Sequence, residues 1–200
     1  KKLSIEMAII NRIIQDDNIL VLANPGIGKS TLAKSLFFEL VKQRISNSNL
    51  LIPLYIDLNR ELSKGEKKFD ITWFNSILSV QYGKLESAYI GSLFENIVLI
   101  LDGLDEYLDG LSKDEMTFFL LTDIFNLSYK FKIVITCREQ FYIRSSVRFC
   151  APVNSFSKVT ILPWKKEDKL KYIKRYLNLL KRKKVLSKNS KNEIVLRRIS

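Results

Sequence analysis

Histidine is missing from this chain of 200 residues. That absence removes imidazole acid–base catalysis, Ser-His-Asp triads and most zinc sites together. Cysteine is nearly missing too: Cys137 and Cys150 are the only two and form no C-x-x-C pair. Free thiols in a reducing, cytoplasmic compartment are therefore expected rather than a disulfide framework. No long hydrophobic run occurs. The longest stretch of Val, Ile and Leu is Ile97 to Leu101, far short of the roughly 20 residues a membrane span needs. Glu6 and Arg12 interrupt the start, so it holds no signal-peptide core. The chain also opens without Met, as expected of a segment excised from a longer protein. Whatever chemistry occurs must run on carboxylates, lysine, arginine, hydroxyls and metal-bound phosphate.

What is present is a globular composition, 46% hydrophobic and 11% aromatic, enough for one packed domain or one domain and part of another. The net charge of +12 is unevenly placed. Residues 1–157 balance 18 basic against 18 acidic side chains, whereas residues 158–200 carry 15 against 3. The basic character belongs to the C-terminal segment alone.

Glycine is scarce, with 7 in the chain, and two of them fall in Ala23-Asn24-Pro25-Gly26-Ile27-Gly28-Lys29-Ser30-Thr31. The aliphatic Ile19-Leu20-Val21-Leu22 precedes this stretch, and a helical pattern from Leu32 to about Arg44 follows it. Strand, glycine loop and helix in that order make a phosphate-binding P-loop. The glycines let successive backbone N–H groups of the run Asn24, Pro25, Gly26, Ile27, Gly28, Lys29, Ser30 and Thr31, all but Pro25 having one, turn toward phosphate oxygens, and the helix N-terminus adds its dipole. Lys29 would meet the β- and γ-phosphates, and Ser30 would ligate Mg²⁺. Ala23 stands where a glycine is usual, which suits a position of negative φ.

Apolar positions predict a helix over 3–15 and strands over 50–58, 96–101, 132–136 and 158–162. Pro53 places the second strand near a sheet edge or marks a strand start. Asp70 can cap a helix over 71–80, and Ser112-x-x-Glu115 forms a capping box for a helix to about Leu127. The polar turn Ser46–Asn49 and the charged stretch 61–68 are expected loops. This alternation predicts an α/β fold: a five-stranded, mostly parallel sheet flanked by helices. A domain boundary is expected at Pro163, dividing a nucleotide-binding part, 1–163, from the start of a basic helical domain, 164–200. There Leu170, Ile173, Leu177 and Leu180 share one helix face, with lysines and arginines opposite.

The third strand ends Asp102-Gly103-Leu104-Asp105-Glu106. A parallel sheet delivers such carboxyl-end residues to the crevice beside the glycine loop. Asp102 is thereby placed to serve Mg²⁺, while Asp105 or Glu106 would orient or deprotonate a water attacking the γ-phosphate. Arg138, closing the fourth strand, sits where a sensor would reach that phosphate; the competing reading is a surface pair with Glu139. Arg144 and Arg148 are either fingers for a neighbour's site or solvated.

Together these motifs resemble the NACHT family of STAND signal-transducing P-loop NTPases, over about residues 15–180. The Asp-Gly-Leu-Asp-Glu run is the most specific element; Ile-Thr-Cys-Arg, Pro53 with Tyr55–Leu62, and Ile161-Leu162-Pro163 are also similar. Ala23 and Cys137 depart from the family pattern. The resemblance implies binding of ATP or ADP by Gly26, Gly28, Lys29, Ser30 and Thr31, with Mg²⁺ at Ser30 and Asp102. It further implies a slow hydrolytic switch between closed monomer and oligomer. Its effector and sensor domains would lie outside this chain, and its role would be in anti-phage defence or innate immunity. GTP is the other nucleotide candidate, though no Asn-Lys-x-Asp run that reads guanine occurs. The alternative function is an AAA+-like motor on nucleic acid or protein, to which the basic C-terminal helix lends weight. Its lysines, expected on a solvated face, favour the switch instead. A scaffold without hydrolysis is disfavoured because every catalytic element is present.

Overall fold

A computed structural model of the chain describes residues 4–15, 17–47, 51–62, 71–83, 96–112, 119–124, 126–127, 131–144, 153, 155–163 and 165–182. They fall into two compact units, one ending at Leu162 and one opening at Pro163.

The first unit is built on five strands: β1 (Ile19–Ala23), β2 (Ile52–Asp57), β3 (Ile97–Asp102), β4 (Lys132–Arg138) and β5 (Ser157–Thr160). Their order is β2-β3-β4-β1-β5, and every pairing is parallel. β1 and β3 are buried along their whole length, as their unbroken aliphatic runs require in a sheet covered on both faces.

Alternation along each strand sorts the core into two layers. Ile19, Val21, Val98, Ile100 and Val134 pack with α1 (Ile5–Ile14) and α2 (Lys29–Ser46). Leu20, Leu22, Leu54, Ile56, Leu99, Leu101, Ile133 and Ile135 pack on the other face, where α4 (Ile71–Tyr82) contributes Ile77 and Leu78. Side chains buried to this degree contribute about 1.5–3 kcal/mol each.

Helix α1 starts where Ser4 Oγ accepts the Met7 N–H at 3.3 Å, and it buries Ile9, Ile10 and Ile13. β2 is an edge strand, so Pro53 removes no ladder bond that a neighbour needs. Gln81 of α4 covers part of that edge. Its Oε1 accepts from Tyr55 N–H at 3.1 Å, and its Nε2 donates to Tyr55 C=O.

Several boundaries differ from the sequence pattern for identifiable reasons. β2 stops at Asp57 because Asp57 Oδ1 accepts the Arg60 N–H at 3.2 Å and opens α3 (Leu58–Leu62). Glu61 and Leu62 therefore belong to a helix rather than a loop. α2 extends through Ser46, with Asn47 as its C-cap. β4 runs two residues past Thr136 because Cys137 and Arg138 pair with Leu22 and Ala23. β5 ends at Thr160, although Ile161 N–H still bonds Leu22 C=O at 2.8 Å. Within the helix expected after Ser112, residues Phe119–Ile124 form a π-helical turn. Glu115, Asp70, Ser48, Asn49, Arg148 and Cys150 lie outside the described residues, as do 63–68.

Two further short helices follow strand ends, α5 (Leu104–Leu108) and α6 (Glu139–Arg144). In the second unit, α7 spans Lys166–Arg182, with Glu167 and Asp168 in its first turn. Leu170 and Ile173 are half-buried there, while Lys166, Lys169, Lys171 and Lys174 are exposed. The side chains of Leu177 and Leu180 lie outside those described. Among the described residues, no helix is long and apolar enough to cross a membrane.

Candidate nucleotide site

The glycine loop has the backbone that its sequence requires. Ala23 is the last residue of β1, extended and paired with Arg138, so alanine carries no strain there. A turn bonds Ile27 N–H to Asn24 C=O at 3.4 Å. Gly28, at φ +103, then caps α2 in the left-handed region. The first helical bond joins Leu32 N–H to Gly28 C=O at 2.9 Å. The N–H groups of Lys29, Ser30 and Thr31 thus lack an intrahelical acceptor. No acid occupies the first turn of α2, and a Cβ added at Gly26 would meet nothing within 4 Å. An open loop, free donors and a positive helix end fit an anionic ligand.

The acids reach the same edge of the sheet by a different route. Alternation puts Asp102, Thr136 and Arg138 on the face that α2 covers, since Val98, Ile100 and Val134 occupy it. Asp102 is buried and held on both oxygens. Thr136 Oγ1 donates to Oδ1 at 2.5 Å, and Tyr55 Oη donates to Oδ2 at 2.8 Å. Gly103, at φ +83, turns the chain into α5, and its N–H donates to Thr136 Oγ1 at 3.0 Å.

The next two acids differ sharply. Asp105 is 0% exposed, and its Oδ1 accepts the Arg138 backbone N–H at 2.9 Å. Arg138 Nε stands 2.9 Å from Oδ2. That contact is an ion pair without hydrogen-bond alignment, so Oδ2 is buried with no hydrogen-bond donor among the described residues. Glu106 is half exposed and accepts from Arg138 Nη2 at 3.1 Å. Arg138 is therefore clamped between Asp105 and Glu106, in place of the pair with Glu139 weighed from sequence.

Burial pushes the Asp105 carboxyl above its usual range, against the Arg138 N–H, the Lys29 ammonium and the Arg138 guanidinium. Burial likewise pushes the Cys137 thiol up, with Asp105 adding and Lys29 opposing. Lys29 thus lies within electrostatic reach of the acids, and the glycine loop and the Asp-Gly-Leu-Asp-Glu run share one end of the sheet.

A family model for the NACHT domain matches residues 17–179. The chain belongs to the NACHT family. NACHT domains are P-loop NTPases, so the loop at 24–31 belongs to a nucleotide-binding NTPase. Solved structures that share the fold include these three. The Aeropyrum pernix ORC2 protein, solved as ADPNP–ADP complexes, is 13% identical over 85% of this chain and 48% of its own, with a TM-score of 0.51. A DNA replication initiation factor is 17% identical over 96% and 56%, with a TM-score of 0.51. A Walker-type ATPase of Pyrococcus abyssi is 14% identical over 88% and 57%, with a TM-score of 0.52. This chain spans about half the length of those structures. No curated protein sequence matches it.

Sequence reasoning missed Tyr55 and Thr136. Strand alternation could have found them, given the strand order: Tyr55 follows Pro53, and Thr136 follows Val134, at period two.

Proposed function

We propose that this NACHT domain binds ATP with Mg²⁺ and hydrolyses it slowly, as a switch that controls self-association and an effector elsewhere in the protein. Arg138 carries the reading. Its backbone is in register with Ala23, which opens the glycine loop, and its guanidinium lies between Asp105 and Glu106. A γ-phosphate arriving on the loop would compete with those acids for the guanidinium, which is how one side chain senses the terminal phosphate.

Placement along the same sheet edge supports the remaining roles. Backbone N–H groups of Gly26, Gly28, Lys29, Ser30 and Thr31 and the Lys29 ammonium bind and orient the phosphates, with Asn24, Pro25 and Ile27 shaping the loop. The Ser30 hydroxyl and the Asp102 carboxylate are hard oxygen donors of the kind Mg²⁺ prefers. When bound, the ion supplies neutralisation of phosphate charge. Glu106, the exposed acid, orients or deprotonates the attacking water. Asp105, fully buried, holds Arg138 and the end of β4. Buried Cys137 suits a reducing, cytoplasmic setting, and the family resemblance supports adenine as the base and a role in defence signalling.

Calorimetry and turnover test this directly. Lys29→Ala should abolish nucleotide binding, whereas Glu106→Gln should keep binding and slow hydrolysis by about 10²-fold. Retained affinity in the lysine variant would remove the loop from the site. The basic charge of α7 lends weight to a second reading, a motor acting on nucleic acid or protein, while the exposure of its lysines suits a merely solvated face. Hydrolysis stimulated by added DNA or RNA would select the motor; slow turnover with retained ADP would select the switch.

A further inference from the structure

Asp102 is held by strands on either side of it, and one of its partners also touches the helix that follows the glycine loop. Tyr55, on β2, donates its hydroxyl to Asp102 Oδ2 at 2.8 Å. The Tyr55 ring meets Phe37 edge-on, with centroids 6.3 Å apart, and the Lys34 ammonium sits 5.9 Å from its centre. Phe37 and Lys34 both lie on α2, whose first turn carries Ser30. Gln81 fixes the Tyr55 backbone through both its N–H and its C=O. One side chain thus spans the two elements that would supply the oxygen donors for Mg²⁺.

We propose that Tyr55 is a positioning residue for the magnesium site, fixing the Asp102 carboxylate relative to the first turn of α2. The proposal rests on the reading of Ser30 and Asp102 as the magnesium side of the nucleotide site. A tyrosine serving the core alone would need only its ring, since Phe37 and Lys34 contact the ring and not the hydroxyl. The hydroxyl's partner in the structure is the Asp102 carboxylate. Thr136 takes the opposite oxygen at 2.5 Å, and together the two hydroxyls set the carboxylate plane. Partners that orient a metal-serving carboxylate typically change metal affinity 10–100-fold when removed.

Tyr55→Phe keeps the ring and deletes the donor. The experiment follows a fluorescent ADP analogue binding to the chain, once across a Mg²⁺ titration and once in EDTA. We expect the half-saturating Mg²⁺ concentration to rise about tenfold, with affinity in EDTA unchanged. Asp102→Asn is measured beside it. The double variant should be no worse than Asp102→Asn alone, because Tyr55 acts through that carboxylate.

A wild-type Mg²⁺ midpoint for Tyr55→Phe, with Asp102→Asn shifted, would overturn the role of Tyr55 alone. So would a loss of affinity that is equal with and without Mg²⁺, which marks packing. If Asp102→Asn itself leaves the midpoint in place, the magnesium reading of that acid falls, and the proposal with it. Should Tyr55→Phe melt well below wild type, Thr136→Val deletes the other donor, and an unmoved midpoint there also overturns the mechanism.

Discussion

Truncating Asp105 should cost several times the stability that truncating Glu106 costs, although the two acids are adjacent and share one arginine. Asp105 is 0% exposed and accepts the Arg138 backbone N–H at 2.9 Å. Asp105→Ala leaves that donor without its acceptor at the end of β4, a loss of about 1–3 kcal/mol. It also frees one side of the Arg138 clamp. A central figure of about 2 kcal/mol lowers the melting temperature by roughly 4–8 °C for a domain of this size. Glu106 makes only a half-exposed pair with Arg138. Glu106→Ala should therefore cost about 0–1 kcal/mol and stay within about 4 °C of wild type. Asp105→Asn adds a sign test. Burial holds the native carboxyl above its unfolded pKa, so this group's stability contribution is full at low pH and fades as pH rises through the native value. Asn keeps the acceptor oxygen without the charge, so its melting temperature relative to wild type should improve as pH rises. Thermal melts of the four proteins from pH 4 to pH 8 read all of this. Equal losses for the two alanine variants would refute the burial argument, and a pH-independent gap for Asn would refute the sign.

Gly28→Ala should cost about 1–3 kcal/mol, because φ +103 is strained for any side chain. The contacts a Cβ would make with Thr31 are ordinary in length, so an unchanged melt would show that the loop backbone is not the one described. Cys137 should resist alkylation. In a Cys150→Ala background its reaction with a thiol reagent should be on the order of a thousandfold slower folded than in denaturant, since folded domains typically lie about 5–15 kcal/mol below their unfolded state. Similar rates in both states would place Cys137 at the surface.

The parts of this protein that were legible in sequence are those whose cause is local. β1 and β3 announce themselves because strands covered on both faces need unbroken aliphatic runs. The glycine loop does so because Gly28, the helix start and Lys29 are contiguous. The parts that were not legible have distant causes. β4 continues through Cys137 and Arg138 only because β1 lies beside it and supplies Leu22 and Ala23 as partners. An Asp within Leu-Asp-Glu reads as solvated, yet Asp105 is buried because Arg138, 33 positions later, brings it a backbone donor and a charge. Tyr55 looks like an ordinary strand aromatic until the sheet order places β2 beside β3, and its partner is 47 positions away.

The order β2-β3-β4-β1 explains why these cases fall together. Each of the four strands delivers its piece to the same carboxyl edge: Tyr55, Asp102, Thr136 with Arg138, and the loop after Ala23. Period-two alternation already fixes which residues of a strand share a face. What a single strand's sequence lacks is the identity of its neighbour. A site assembled from one loop and three strands is therefore readable locally only in the loop, and the acids and hydroxyls gain their meaning from pairing.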